Sequence, residues 1–496
     1  MEAVIRCWPS LARGMIAREL YGHSAEHGGR CVYEGMWVGP DTSIPNRDGV
    51  RLDILAALAH LRAPVVSWPG GGFADGYHWR DGIGPAAKRP QTVNLSGRQT
   101  DPNMFGTDEF MRFCEQVGAA PYITVNAGSG TPREAREWLE YCRFPGDSSL
   151  TRMRARHGRA QPYLAPYWGV GGLSPEDSGH LCAGAYAECF TRFAAPIRAL
   201  APDIKLFACG AVPDGRDPRL NDWNHDLCRQ LRHVPFMDYL SLRRHFTRGG
   251  AVDFSDNEYY GLFADVLDFE RNLQGADALL HYYFPDKKVH IAVNEWGMRH
   301  PEAVIDNGME QPNTLRDALL AASVLHLFNR WCRRVTMAKL SQAVNVLQCL
   351  AVTGGDKLFL TPTYHVFDMM RPHQDAALLL TETDSPAFKA FSPGASAARE
   401  LPCLDVCASL SGKKMLLTVV NKSREHAIET RIALREAAAA SVSGRVLHAA
   451  APEEVNSFDA PSRVVPRRVR LESRQDGLFH VFPPHSFTAL SITLES

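Results

Sequence analysis

The five residues Val293-Asn294-Glu295-Trp296-Gly297 end a β-like run with an ionisable side chain beside an indole. A carboxylate carried on the end of a rigid strand, next to an aromatic ring that restricts water, has the chemistry of a nucleophile toward an anomeric carbon. The same residue at the same place also serves in ion pairs at the rim of a fold, and the pentapeptide alone leaves both uses open. Other chemistries find less support. The run Gly70-Gly71-Gly72 lacks the Gly-Lys-Ser/Thr ending of a phosphate loop and reads as a sharp turn after a strand. The twelve cysteines are scattered, and the closest pair, Cys403 and Cys407, has no second pair or histidine cluster at zinc-site spacing, so reduced structural thiols are expected. Nothing signals a metal, nucleotide or flavin, and no cofactor is expected.

A strand-end nucleophile needs a scaffold that delivers strand ends to one place. From about residue 20 to 350, short β-rich runs alternate with amphipathic helical stretches, the pattern of parallel strands joined by crossover helices. Eight candidate strands lie near residues 20–23, 65–68, 122–126, 167–170, 206–209, 239–242, 290–295 and 344–347. Ser255 with Glu258 reads as a capping box opening a helix whose Tyr259, Leu262, Phe263 and Val266 share a face, and Thr314 with Asp317 reads as a second helix start. Eight strands with helical crossovers favour a (β/α)8 TIM barrel over an open sheet, and no Gly-x-Gly-x-x-Gly follows the first strand. Beyond about residue 385 the texture becomes β-like, with runs at 414–421 and 490–494, so a C-terminal all-β sandwich domain is expected. The division expected is 1–19 as an N-terminal strand segment packing on the β domain, 20–384 as the barrel and 385–496 as the sandwich. The stretches 437–440 and 463–470 read as surface connections.

At 496 residues the chain is long enough for a barrel and an accessory domain, and a formal net charge of −1 excludes the basic surface of a nucleic-acid or anionic-membrane binder. Nine tryptophans and fourteen tyrosines could stack on sugar rings, although most such side chains are core. With no apolar region of signal-peptide length and no run of eighteen apolar residues, a cytoplasmic location is expected, with no membrane and no nucleic acid as partner.

Over nearly its whole length the chain resembles glycoside hydrolase family 51. The motifs are Tyr21-Gly22-His23-Ser24-Ala25-Glu26-His27, Trp68-Pro69-Gly70-Gly71-Gly72-Phe73 with Gly76-Tyr77-His78-Trp79, Asn126-Ala127-Gly128-Ser129-Gly130-Thr131, Tyr167-Trp168-Gly169-Val170-Gly171, Asn294-Glu295-Trp296-Gly297, Asn345-Val346-Leu347-Gln348 and Thr361-Pro362-Thr363-Tyr364-His365-Val366-Phe367. The resemblance implies an exo-acting retaining α-L-arabinofuranosidase with Glu295 as nucleophile, working through a covalent arabinosyl-enzyme. It further implies that Glu26 and Gln348 hydrogen-bond the furanose hydroxyls, that the partner is an arabinose-containing oligosaccharide or polysaccharide, and that the chain assembles as a homo-oligomer.

A retaining glycosidase also needs a second carboxyl about 5 Å from the first, as acid and then base. In the family the fourth strand continues with Asn-Glu, whose Glu fills that role, whereas here Gly172 and Leu173 occupy those positions and the sequence runs on through Glu176 and Asp177. Leucine transfers no proton, and losing such help costs about 10²–10⁴-fold. The departure reads as Glu176 or Asp177 acting in substitution, as a sugar binder that has lost turnover, or as a local shift of reading frame between matching flanks. After the sixth strand the family presents a His and a Tyr; here the run is Leu242-Arg243-Arg244-His245-Phe246, which makes His245 a stand-in ligand or an ordinary rim histidine. Gly72 replaces a larger side chain near the sugar.

Overall fold

The computed structural model describes residues 1–95, 97–172, 181–213, 217–392, 397–474 and 477–495. At its centre eight parallel strands close into a barrel in chain order: β1 (Gly22–Ser24), β2 (Val65–Trp68), β3 (Ala120–Val125), β4 (Tyr167–Val170), β5 (Lys205–Cys209), β6 (Tyr239–Phe246), β7 (His290–Met298) and β8 (Val335–Leu340). Toward the amino ends of the strands Val65, Tyr122, Phe207, Ala292 and Met337 cluster in the interior, edged by Tyr167 and Tyr239. The rings of Phe207 and Tyr239 stack at 4.3 Å, and Tyr122 meets Phe207 edge-on at 4.7 Å. That plug fills one end of the barrel, which leaves the carboxyl ends to form a site.

Six of the eight expected strands lie where the alternating texture put them, and the first begins at Gly22 after a 3-10 turn over Arg18–Tyr21. The eighth is a correction. In the stretch 344–347, Asn345 and Leu347 have φ of 62° and 54°, and a left-handed backbone cannot continue a strand whatever its β propensity. The closing strand is Val335–Leu340, in which Lys339 is fully buried among apolar neighbours.

Local signals at the helix starts are realised in atoms. The Ser255 N–H donates to Glu258 Oε2 at 2.8 Å while Ser255 Oγ accepts the Glu258 N–H at 3.3 Å, opening the helix Asp256–Tyr283. Thr314 and Asp317 make the same reciprocal pair ahead of the helix Leu315–Arg330. Every residue of that helix from Leu315 to Asn329 is buried, because it packs on β8 and also on the accessory-domain strands Leu404–Ser411, Lys414–Asn421 and Ser486–Leu494. A helix covered on both sides has no use for a polar face.

The accessory domain is built on a ten-stranded sheet. The N-terminal strand Glu2–Met15 runs through its middle, antiparallel to Ala377–Asp384 and parallel to Ile428–Leu434. The sheet therefore takes in a strand that precedes residue 385. Ile5, Cys7, Leu417, Val419, Ile432, Leu490 and Ile492 are among the residues of its core, and the 490–492 alternation holds, with Ser491 exposed between two buried neighbours. The two stretches expected as connections each run into strand, Ala439–Leu447 and Arg467–Val469. All twelve cysteines are free thiols. Among the described residues no helix is long and apolar enough to cross a membrane.

Candidate active site

The geometry that presents Glu295 begins with an interrupted alternation in β7. Ala292 belongs to the interior cluster, Val293 to the outer core, and Asn294 turns inward to donate from Nδ2 to the Tyr122 hydroxyl at 2.8 Å. Trp296 faces out again, its ring 5.4 Å from that of Phe328 on the helix Leu315–Arg330. One residue too many separates Asn294 from Trp296 for strict alternation. Pairing with β6 records the same bulge, passing from Leu242↔Val293 to Arg243↔Glu295, and pairing with β8 passes from Val293↔Ala338 to Trp296↔Leu340. A bulge at the rim of a barrel re-aims a side chain, and here the residue re-aimed is Glu295.

Glu295 is 5% exposed. Ser341, the residue after β8, donates from Oγ to Glu295 Oε1 at 3.0 Å. His245 Nε2 lies 3.4 Å from Oε1 and Arg243 Nη1 lies 3.6 Å from Oε2, both delivered by β6. Burial pushes the carboxyl upward, but the charges of His245 and Arg243 together with the Ser341 hydroxyl outweigh it and hold Glu295 down to about 2. Glu295 is thus a carboxylate ionised at any ordinary pH and the anion of a rim ion pair. Arg243 and Ser341 escaped the sequence reading. A pair of arginines ahead of His245 was the available signal for the first, and nothing local marks the second.

Glu26 stands beyond the end of β1, where the Ala25 N–H donates to Ser67 O at 2.9 Å and the His27 N–H to Pro69 O at 3.1 Å, so the segment continues the pairing of β1 with β2. Room for its side chain comes from Gly70, whose φ is 140° and whose Cβ, if present, would stand 2.7 Å from Glu26 Cγ. His27 is locked on both nitrogens: Nδ1 meets Asp101 at 2.6 Å, and Nε2 accepts the Trp68 indole N–H at 2.8 Å. Asp75, in the 3-10 turn Gly72–Gly76 after β2, spans three strand ends. Its Oδ1 accepts the Ala127 N–H at 3.1 Å and its Oδ2 the Gly172 N–H at 3.0 Å, fixing the end of β4.

Lys339 is the other unforeseen member. Its Nζ is buried with no hydrogen-bond partner among the described residues and rests 3.3 Å from the centre of the Tyr122 ring. Burial drives its amine well below the usual lysine range, against the pull of the nearby Glu26 and Glu295 carboxylates. The pull of both carboxylates on that amine sets Glu26 and Glu295 near Lys339. Gln348 bonds to the protein itself: Oε1 accepts the Met298 N–H at 2.7 Å while Nε2 donates to Asp317 O at 2.8 Å and Thr363 Oγ1 at 3.0 Å. Fully buried, it braces the segment that follows Glu295. Among the described residues no group of three or more His, Cys, Asp or Glu side chains could hold a metal ion.

Residues 57–239 match the family description "Alpha-L-arabinofuranosidase 1 domain" and residues 294–486 match "Alpha-L-arabinofuranosidase C-terminal domain". A Bacteroides ovatus protein described as an intracellular exo-α-L-arabinofuranosidase is 34% identical over 475 residues, which cover 94% of this chain and 90% of that one. The crystal structure of the family 51 arabinofuranosidase from Xanthomonas axonopodis pv. citri superposes with a TM-score of 0.92 at 31% identity, covering 99% of this chain and 100% of that one. The chain belongs to the family 51 α-L-arabinofuranosidases. A second structure of the family, from Thermotoga maritima in complex with arabinose, superposes with a TM-score of 0.87 at 30% identity, again over 99% of this chain and 100% of that one. In this family 51 chain β4 ends at Val170 and the described segment after it ends at Gly172; Leu173 and Glu176 lie outside the described residues.

Proposed function

We propose that the protein is a retaining, exo-acting α-L-arabinofuranosidase that acts on terminal α-L-arabinofuranosyl groups of arabinan, arabinoxylan or their oligosaccharides, and that Leu173 restricts it to donors with good leaving groups. The observation that carries the reading is the placement of Glu295, a buried carboxylate held ionised at the mouth of the barrel by Ser341, His245 and Arg243. Glu295 attacks the anomeric carbon, the bond to the leaving oxygen breaks, and an arabinosyl ester forms; an acceptor then displaces Glu295 and restores its charge. Glu26, given its space by Gly70, orients ring hydroxyls as an acceptor. Gln348 acts as a positioning residue that holds the backbone beyond Glu295. The relatives from Bacteroides ovatus and Streptomyces lividans are described as intracellular, which supports a cytoplasmic location here.

Leucine at position 173 favours a second reading, a sugar binder without turnover. The test is hydrolysis of a nitrophenyl α-L-arabinofuranoside beside an arabino-oligosaccharide, with Glu295→Ala as control. Slow release of nitrophenol alone, abolished in the control, is the expected result. Full turnover of the oligosaccharide would mean that Glu176 supplies the proton, and binding with no release at all would leave the binder.

A further inference from the structure

We propose that Lys339 is a binding residue for the arabinofuranosyl group, its amine donating to a sugar hydroxyl oxygen between Glu26 and Glu295. This inference rests on the arabinofuranosidase reading above and assigns the donor that two carboxylates do not supply.

The placement follows from the alternation of β8. Met337 belongs to the apolar plug at the amino end of the barrel. Lys339, two residues on, projects into the same bore one layer nearer the mouth. In the ring β8 lies between β7, which carries Glu295, and β1, which leads to Glu26. The lysine stem passes Gly22, its register partner on β1, where a Cβ would stand 3.1 Å from Lys339 Cγ. The amine comes to rest 3.3 Å from the centre of the Tyr122 ring on β3. That ring is itself fixed, because its hydroxyl accepts from Asn294 Nδ2 at 2.8 Å and has room only beside Gly169, where a Cβ would stand 2.6 Å from it. Lys339 is fully buried, and its Nζ has no hydrogen-bond partner among the described residues.

Burying an amine that faces no acceptor is unfavourable, and a ligand that brings an oxygen to it relieves the cost. A furanose seated against Glu26 and Glu295 is such a ligand. A carboxylate only accepts, so each sugar hydroxyl that donates to one keeps two lone pairs of its own to satisfy. Ser341 already spends its hydroxyl proton on Glu295, and Gln348 spends its amide protons on Asp317 O and Thr363 Oγ1. Lys339 has its donors left. Burial holds the amine well below the usual lysine range while both carboxylates pull it upward, and in either protonation state it keeps at least two N–H donors. Rotation about the terminal bonds of its stem lifts Nζ off the Tyr122 ring to meet the sugar.

The experiment measures kcat/KM of the full-length protein and of Lys339→Met on nitrophenyl α-L-arabinofuranoside and on the analogues that each lack one sugar hydroxyl. For one analogue, the fall relative to the parent should be at least about 10-fold larger in the native protein than in Lys339→Met, because only the native site loses a partner. Each fall is a ratio between two substrates on one variant, so it does not respond to how much of that variant is folded. Equal falls in both proteins for every analogue overturn the proposal while leaving the arabinofuranosidase reading intact. No turnover of the parent by the native protein, even in a first turnover, removes that reading. A crystal structure of the native protein with L-arabinose answers separately and needs no variant. Nζ within about 3.2 Å of a sugar oxygen is the expected result, and Nζ still on the Tyr122 ring with the sugar out of reach overturns the assignment.

Discussion

Replacing His245 by glutamine should move the acid limb of activity upward. The carboxyl of Glu295 is held at about 2 against an ordinary 4.5, a difference of about 3 kcal/mol. A unit charge at the 3.4 Å separating His245 Nε2 from Glu295 Oε1 is worth about 4.9 kcal/mol at an effective dielectric of 20. Loss of that one charge is enough to cancel the depression, and burial, which acts upward, is then opposed by Arg243 and Ser341 alone. The sign is unambiguous: Glu295 must be ionised to attack, so a higher pKa means that activity disappears at a higher pH as acid is added. The assay is kcat/KM on nitrophenyl α-L-arabinofuranoside from pH 3 to 8, where the limb reports the free enzyme. The native protein should show no carboxylate limb above about pH 3, and His245→Gln should show one between about pH 4 and 6. The same linkage applies to stability. Because the folded pKa is depressed, ionised Glu295 contributes fully above about pH 4.5 and the contribution is lost as pH falls toward 2. A native limb already at pH 4 to 5, unmoved in the variant, would refute the electrostatic account.

Gly70→Ala puts a methyl 2.7 Å from Glu26 Cγ in a backbone of φ 140°; KM for the aryl arabinofuranoside should rise about 10-fold or more as Glu26 is displaced, equivalent to about 1.4 kcal/mol, and an unchanged KM would show that Glu26 does not touch the sugar. Lys339→Met removes a buried amine that has no hydrogen-bond partner among the described residues, so the thermal midpoint should rise by a degree or two for a relief of about 1–3 kcal/mol, while arabinose binding weakens; a lower midpoint in calorimetry would contradict this. Asp75→Asn leaves one amide acceptor where two are used, and the loss of about 1–3 kcal/mol should appear as a lower urea midpoint and as faster amide exchange at Ala127 and Gly172.

The barrel was legible because its strands and helices carry different periods, and Glu295 was legible because an ionisable residue at a strand end stands out from the apolar run before it. The same logic misplaced the eighth strand. Val344-Asn345-Val346-Leu347 has strand composition, yet two of its residues adopt positive φ, a property fixed by tertiary contacts. Val335–Leu340 contains a lysine that local reasoning assigns to solvent, and here it points into the barrel. Gln348 was expected from its motif to bond the furanose hydroxyls, and the protein donors and acceptors it meets come from Met298, Asp317 and Thr363; such pairings are set by the fold. Arg243 reaches Glu295 because of the bulge at Asn294, and a bulge has no signature in a single strand. The N-terminal strand was expected against the β domain, whereas its place in the middle of that sheet depends on partners more than 360 residues away in sequence, Ala377–Asp384 and Ile428–Leu434.

The central claim is that Glu295 forms a covalent bond to the arabinosyl group. It is tested most directly by acid-quenching the protein within its first turnover on nitrophenyl α-L-arabinofuranoside in phosphate-free buffer, then measuring the intact mass and mapping the adduct by peptide fragmentation. The account predicts one pentosyl residue per chain, located on Glu295 and absent from Glu295→Ala. Release of nitrophenol with no adduct, or with the adduct on another side chain, would contradict it.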